Sequence, residues 1–299
     1  MKLSILIICY NQEKYIKQCI ESIIMQRIPF EYEVVVADDG SNDKTLSIIK
    51  DKMSSIIQNL IILDNSKNYG ISKNYQRGFV ECKGEYVAVI EGDDYWTDPE
   101  RLIKHLHFLD NHRECVMSMN RFIIYNEDLG KFSFKEWNLL EDFSYITAQE
   151  MASENKLGNL SACVFRKSEI DKIKPDLYNL NIADWMLGLV LSQNGFILIL
   201  KELMSVYRIH KNGEWTKMPI KKRNETLIEC IDTYNQYLEY KYDKEFNSYK
   251  KSLNERLKPK LLNYPIIDFL PPIIIYTFKL LLPKVALLFI KKVYFKIIK

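Results

Sequence analysis

Residues 87–96 read VAVIEGDDYW, an apolar run that ends in Glu91, Asp93 and Asp94 within four positions and passes into two aromatic residues. Three carboxylates set at the end of a buried run repel one another. At a separation near 4 Å each pair costs about 1 kcal/mol in water and about 4 kcal/mol at an effective dielectric near 20. Carboxylate oxygens in this pattern suit a hard divalent cation such as Mg2+ or Mn2+, which keeps coordination sites open for substrate phosphates. Such an ion neutralises charge on a diphosphate. The alternative is a solvated acidic turn in which Asp94 or Asp98 caps the next helix. A second pair of carboxylates, Asp38 and Asp39, closes another apolar run, EVVVA at 33–37.

These groups need elements to hold them. Leu3 to Ile8 is a continuous β-rich run, as expected of a strand buried on both faces. The spacing of Ile16, Ile20, Ile23 and Ile24 predicts a helix up to about Arg27, with Pro29 just past it. Glu33–Ala37 reads as a second strand, and DDGSNDKT as a turn into a helix capped by Ser41 or Asn42. Strands follow at Leu60–Leu63 and Glu85–Ile90, separated by a helix from Ile71 to about Cys82. This alternation calls for an α/β fold with a mostly parallel central sheet flanked by helices. Ligands of such sheets sit beyond the carboxyl ends of the strands, where DDGS and EGDD both fall. Further on, Pro99–His112 reads as a surface helix whose His105, His107 and His112 carry no role. Strand-like pieces lie at Met119–Tyr125, Leu160–Phe165, Phe196–Leu200 and Ser205–Ile209. A helix is expected over Ala183–Asn194, ended by Gly195, and a polar, aromatic-rich helical stretch from Pro219 to about Lys258.

Bulk properties remove several classes. A net charge of +3 over 299 residues, with no basic stripe, argues against a nucleic-acid partner. Six scattered cysteines without a CxxC pair argue against a zinc site and a disulfide framework, and a reducing cytoplasm is the expected compartment. The short apolar start, MKLSILIICYNQEKY, reads as a first strand rather than a signal peptide. No GxGxxG follows it, and GxxxxGK[ST], HExxH and GxSxG are missing, so a dehydrogenase, a P-loop enzyme, a zinc protease and an α/β hydrolase lose their main support.

Taken in order, CYN, ADDGSNDKT, NYGISKN, GEYVAVIEGDDYWTDPERL, ADW and YRIHKNGEW resemble the family 2 glycosyltransferases, inverting enzymes of the Rossmann-like GT-A fold, over roughly residues 1–215. The resemblance implies a nucleotide-diphosphate sugar donor and a Mn2+ or Mg2+ cofactor. Glu91-Gly92-Asp93 takes the place of the family's DxD motif, with Glu for the usual first Asp. Asp93 is then the metal ligand, Glu91 reaches the ribose or a metal-bound water, and Asp94 joins the metal shell or caps the helix. Asp38 and Asp39 match nucleotide-contacting acids. A carboxylate accepts from the N3–H of uracil or thymine, which cytosine lacks, although guanine also offers an N–H. For Asp39 the alternative is an Asx turn ahead of Gly40. Tyr10 would stack on the base or simply pack, beside Asn11. Lys73 and Asn74 would lie near the diphosphate, Lys73 being alternatively a solvated helix residue. Asp184 would be the base that takes the acceptor hydroxyl's proton, or an N-cap. Arg208 and His210 would approach the diphosphate, with His210 a metal ligand or a phosphate donor.

The expected organisation is a catalytic domain over 1–218, a helical extension over 219–263 and an apolar, basic tail over 264–299. The tail carries six lysines against one aspartate, and its longest uncharged run, Phe269–Phe278, is too short for a bilayer span of about 20 residues. On a helix from about Pro283, Lys284, Lys291, Lys292, Lys296 and Lys299 face away from Leu287, Leu288, Val293 and Ile297. That pattern fits an interfacial helix on an anionic membrane surface, or a tail folded on its own domain or an oligomer contact. The expectation is a cytoplasmic glycosyltransferase, peripheral on the inner face of the plasma membrane. It would move a sugar from a nucleotide donor (UDP-sugar favoured) to a hydroxyl of a glycan or lipid-linked acceptor in bacterial surface polysaccharide synthesis. A sugar nucleotidyltransferase and a non-catalytic, nucleotide-binding membrane subunit remain as rivals.

Overall fold

The structure, a computed structural model, describes residues 1–135, 141–180 and 184–257. The expected membrane-interface tail lies outside the described residues. Residues 1–255 form one compact unit, so the helical stretch from 219 to 255 packs within it.

In chain order the elements are β1 (Leu3–Cys9), α1 (Ile16–Ile24), β2 (Tyr32–Asp38), α2 (Thr45–Met53), β3 (Leu60–Ile62), α3 (Ile71–Glu81), β4 (Tyr86–Glu91), β5 (Tyr95–Trp96), α4 (Arg101–Asn111), β6 (Cys115–Asn126), β7 (Lys131–Phe134), β8 (Phe143–Ile146), α5 (Ala148–Ser153), β9 (Cys163–Arg166), α6 (Lys167–Ile170), α7 (Asp184–Ser192), β10 (Phe196–Ile209), α8 (Ile220–Tyr237) and α9 (Asp243–Leu257). The strands make one sheet in the order β3-β2-β1-β4-β9-β6-β10-β5, with β7 added to β6 and β8 to β10. The first four strands are parallel, as the alternating pattern predicts. Beyond β4 the sheet is mixed: β9 enters antiparallel between β4 and β6, while β6 and β10 run parallel.

Strand β1 is buried along its whole length because helices cover both faces. Leu3, Ile5, Ile7 and Cys9 pack with Ile16, Cys19, Ile20 and Ile23 of α1. The alternate residues Leu6 and Ile8 pack with Tyr75 and Phe79 of α3, as a side-chain period of two requires. Register then places the acids: Cys9 pairs with Asp38 and Ile8 with Glu91. Both acidic motifs therefore emerge at the carboxyl end of β1.

Several expectations need correction. Helix α2 starts at Thr45, where Asp43 Oδ1 accepts the Thr45 N–H at 2.9 Å; neither Ser41 nor Asn42 caps it. The two strands expected after Gly195 are one 14-residue strand whose register shifts near Leu203 absorb the polar interruption. Helix α4 is not a plain surface helix: His105 is wholly buried, with Nδ1 2.7 Å from Ser118 Oγ and Nε2 3.1 Å from Asn120 Oδ1. The single helical stretch from 219 is two helices, broken where Glu239 and Tyr240 take positive φ.

Trp185, one residue into α7, ties this last part to the site. Its ring meets Tyr234, Phe246 and Tyr249 edge-on at 5.5–5.9 Å, and its Nε1–H donates to the Met151 carbonyl at 2.5 Å. Replacing it leaves a large cavity and an unpartnered carbonyl beside Asp184. Trp185→Ala is expected to lower stability by about 3–5 kcal/mol, read as a lower urea midpoint at unchanged slope. A midpoint equal to wild type would show that α8 and α9 do not depend on this contact.

Candidate active site

The turn after β4 brings Glu91, Asp93 and Asp94 together, with one oxygen of each within 4.8 Å of the others. Packing around Gly92 is close, since a Cβ there would press on the Gln12 side-chain oxygen, Ile16 and Cys9. Glu91 Oε1 accepts from Tyr75 Oη at 2.7 Å. Asp93 Oδ2 accepts from His210 Nε2 at 2.9 Å, taking the proton to sit on that nitrogen. Asp94 is buried and does not cap α4. Its Oδ1 accepts the Arg208 N–H at 2.8 Å, and its Oδ2 accepts from Asn159 Nδ2 at 2.8 Å and Ser161 Oγ at 2.7 Å. The acid that assists α4 is Asp98, which accepts the Glu100 N–H at 2.8 Å.

Among the described residues no Lys or Arg side chain is ion-paired with these three carboxylates. Burial and the charges of Asp93 and Asp94 push Glu91 up to about 8, and burial and Asp93 push Asp94 up to about 7. Carboxylates this close, with burial and one another's charges raising Glu91 and Asp94, offer oxygen ligands whose ionised form a cation would favour. The residues fit a hard divalent ion in donor type, number and spacing.

His210 is buried against Tyr15, with ring centroids 4.5 Å apart, and its Nδ1 has no partner among the described residues. It meets the cluster through Asp93 rather than joining the three converging oxygens. Arg208 is buried too. Its Nε–H donates to the Asp93 carbonyl at 2.8 Å and its NH2 to Gln18 Oε1, with the rings of Tyr15, Tyr95 and Tyr125 at 4.9, 5.4 and 5.6 Å. Such rings attract a cation and hold the guanidinium at the turn.

At the end of β2 the two acids differ. Asp38 is fully enclosed and accepts from Ser41 N at 3.0 Å, from Ser41 Oγ and from Asn65 Nδ2 at 3.0 Å, so it shapes the loop. Asp39 accepts the N–H groups of Tyr69 at 2.7 Å and Gly70 at 3.1 Å; burial raises it while those bonds oppose the rise. Gly40 and Gly70 both have positive φ there. Tyr10 is 44% exposed, available to stack. Asn11 takes a left-handed φ of 51° and accepts the Asn42 N–H at 2.9 Å. Asn74 is buried, donating to the Ala37 carbonyl at 2.7 Å and accepting from Arg77, so its polar atoms are used inside the fold. Lys73 Nζ donates to Asn179 Oδ1 at 2.7 Å.

Asp184 opens α7 and accepts the Trp185 N–H at 2.9 Å. Asn155 Nδ2 donates to both its oxygens, at 3.1 and 3.2 Å. Burial raises its carboxyl above the usual range, opposed by these bonds, and its charge is felt at Glu91. Sequence reasoning missed Asn155, Asn159, Ser161, Gln18, Tyr15 and Tyr75. Only the polar, glycine-containing run ENKLGNLS (154–161) hinted at a structured loop.

Parallel strands ending in two acidic turns, with a mixed extension bringing Asp184, Arg208 and His210 to the same end, define a nucleotide-sugar-transferase fold of the GT-A type. Residues 4–172 match the glycosyl transferase family 2 profile, and the chain belongs to that family. An uncharacterized protein of Mycobacterium tuberculosis is 33% identical over 213 residues, 71% of this chain and 60% of its own length. The chain thus spans about three fifths of that relative. The amylovoran biosynthesis glycosyltransferase AmsE of Erwinia amylovora is 28% identical over 188 residues, 62% of this chain and 68% of its own. The crystal structure of Staphylococcus aureus TarS 1–349 in complex with UDP-GlcNAc shares the fold, with a TM-score of 0.64 at 22% identity over 87% of this chain and 77% of that one.

The carboxyl shifts set a pH dependence. Folded Glu91 keeps its proton to about 8, whereas the unfolded chain releases it near 4.5. Between these values the unfolded state binds fewer protons, so stability falls as pH rises; Asp94 adds in the same direction up to about 7. With a chelator present, urea unfolding is expected to show this fall, and Glu91→Gln to flatten it. An equally steep fall in the variant would place the shift elsewhere.

Proposed function

We propose that this chain is an inverting glycosyltransferase that moves a sugar from a nucleotide-diphosphate donor, a UDP-sugar by preference, to a hydroxyl of a glycan or lipid-linked acceptor in bacterial surface polysaccharide synthesis. The observation that carries this reading is the group of carboxylates without a Lys or Arg partner at the strand end that also presents Asp39 and Tyr10. The UDP-GlcNAc in the TarS complex and the activity named for AmsE support it.

Asp39 and Tyr10 would receive the base, and Asp93, with Glu91 and Asp94, would hold Mn2+ or Mg2+. What the bound ion supplies there is neutralisation of the leaving diphosphate's charge. Asp184 accepts the proton of the acceptor hydroxyl as that oxygen forms its bond to the anomeric carbon. The bond from that carbon to the diphosphate oxygen breaks on the opposite face, and the nucleoside diphosphate leaves with the electron pair. No covalent enzyme intermediate is needed, and Asn155 keeps both Asp184 oxygens directed during the transfer.

The test is thermal unfolding against UDP, dTDP, GDP, CDP and ADP, with and without Mn2+. A nucleotide at a hundred times its Kd stabilises by about 2.7 kcal/mol, a rise of roughly 5–10 °C for a domain of this size. A Mn2+-dependent shift with UDP or dTDP is expected. Asp184→Asn should keep that shift and lose turnover in a UDP-sugar screen by at least about 100-fold. No shift with any nucleotide would favour the non-catalytic subunit.

The 264–299 tail as an interfacial helix belongs to the same proposal. Among the described residues no helix is long and apolar enough to cross a membrane. The full chain is expected to float with vesicles containing phosphatidylglycerol and to stay behind with pure phosphatidylcholine. Equal recovery with both would remove the electrostatic contact.

A further inference from the structure

The loop between α5 and β9 touches both halves of the site. Asn155, at one end, holds Asp184, and its own Oδ1 accepts the Leu157 and Gly158 N–H groups at 3.1 and 3.3 Å. Leu157 is buried, and its side chain fills the space where Gly188 of α7 has no Cβ. At the other end Ser161, 1% exposed, has every polar group engaged. Its Oγ accepts the Glu91 N–H at 2.9 Å and donates to Asp94 Oδ2 at 2.7 Å, which uses the hydroxyl's single proton and fixes its rotation. Its N–H is held by Asn159 Oδ1 at 2.5 Å, and the same Asn159 side chain donates to Asp94.

The Ser161 carbonyl is held from beneath. Trp96 Nε1–H donates to it at 2.8 Å and Arg101 NH2 at 3.2 Å. Arg101 is wholly buried, stacked 4.5 Å from the Trp96 ring, with its Nε–H on Asn120 Oδ1 at 2.8 Å. Among the described residues it has no carboxylate partner within ion-pair distance. A guanidinium buried without a counter-charge is unfavourable by several kcal/mol unless its donors are satisfied. This one donates from Nε–H to Asn120 and from NH2 to a backbone carbonyl, with NH1 unpartnered among the described residues, and that carbonyl belongs to the residue whose hydroxyl orients the acidic cluster.

We propose that Ser161, clamped by Arg101 and Trp96, is a positioning residue for the cation site, setting the orientation of Asp94 and the backbone of Glu91. The proposal rests on the cation reading of the cluster given above. Partners that orient ligating carboxylates typically change metal affinity about 10- to 100-fold when removed. Ser161→Ala is expected to weaken Mn2+ binding to the full chain by about that factor, measured from the electron paramagnetic resonance signal of free Mn2+. Ser161→Cys keeps the shape with a poorer donor and should weaken binding in the same direction. Thr147→Ala removes the capping box of α5, lowering stability without touching the cluster, and should bind Mn2+ as wild type does. Wild-type affinity in either folded Ser161 variant overturns the proposal alone, as does a matching loss in Thr147→Ala, which would make the effect one of general stability. A wild-type chain that does not bind Mn2+ overturns the cation reading and this proposal together.

Discussion

Mutual repulsion among Glu91, Asp93 and Asp94 is the constraint around which this molecule is arranged. The fold brings the three together at the end of a strand buried on both faces, where water screens them poorly. It then supplies polar donors rather than opposite charges: the Tyr75 hydroxyl on Glu91, the Arg208 backbone N–H, Asn159 and Ser161 on Asp94, and His210 on Asp93. Donors of this kind orient a carboxyl group without bringing an opposite charge to it.

The two cationic arginines nearest the turn follow the same logic. Arg208 is directed to the Asp93 carbonyl and held among three tyrosine rings, and Arg101 is directed to the Ser161 carbonyl. Among the described residues neither forms a carboxylate pair. Each donates to a backbone carbonyl beside the cluster, and Arg101 NH1 has no hydrogen-bond partner among the described residues.

How much was legible beforehand divides at β4. The first four strands, their helices and both acidic turns follow from long apolar runs at regular spacing, and β1–β4 sit within a residue or two of expectation. A strand-like piece at Leu160–Phe165 and two over Phe196–Ile209 were legible, but the antiparallel placement of β9, the four-residue β7 and β8 and the continuity of β10 were not, because short or polar-interrupted strands take their identity from neighbours rather than from their own pattern. In the site, Asp184, Arg208 and His210 were visible as residue types in familiar order. Asn155, Asn159 and Ser161 were not, since hydrogen-bonding partners that orient a carboxylate obey no spacing rule. Asn74 and Asp38 illustrate the converse: both stand where the resemblance expects ligand contacts, yet their polar atoms are committed to Ala37, Arg77, Ser41 and Asn65. His105 shows that an amphipathic helix can bury a histidine when serine and asparagine on the next strand receive it.

The pairing of Cys9 with Asp38 and of Ile8 with Glu91 also bears on how such a chain can diversify. Because successive side chains point to opposite faces, a single-residue insertion in β1, β2 or β4 would turn a buried face outward and move an acid away from its neighbours. Length variation is therefore intolerable in the N-terminal half of the sheet. The β7 hairpin, exposed at Leu129, Phe132 and Phe134, pairs with β6 away from β1, β2 and β4, so a change of length there leaves the register of the two acidic turns in place.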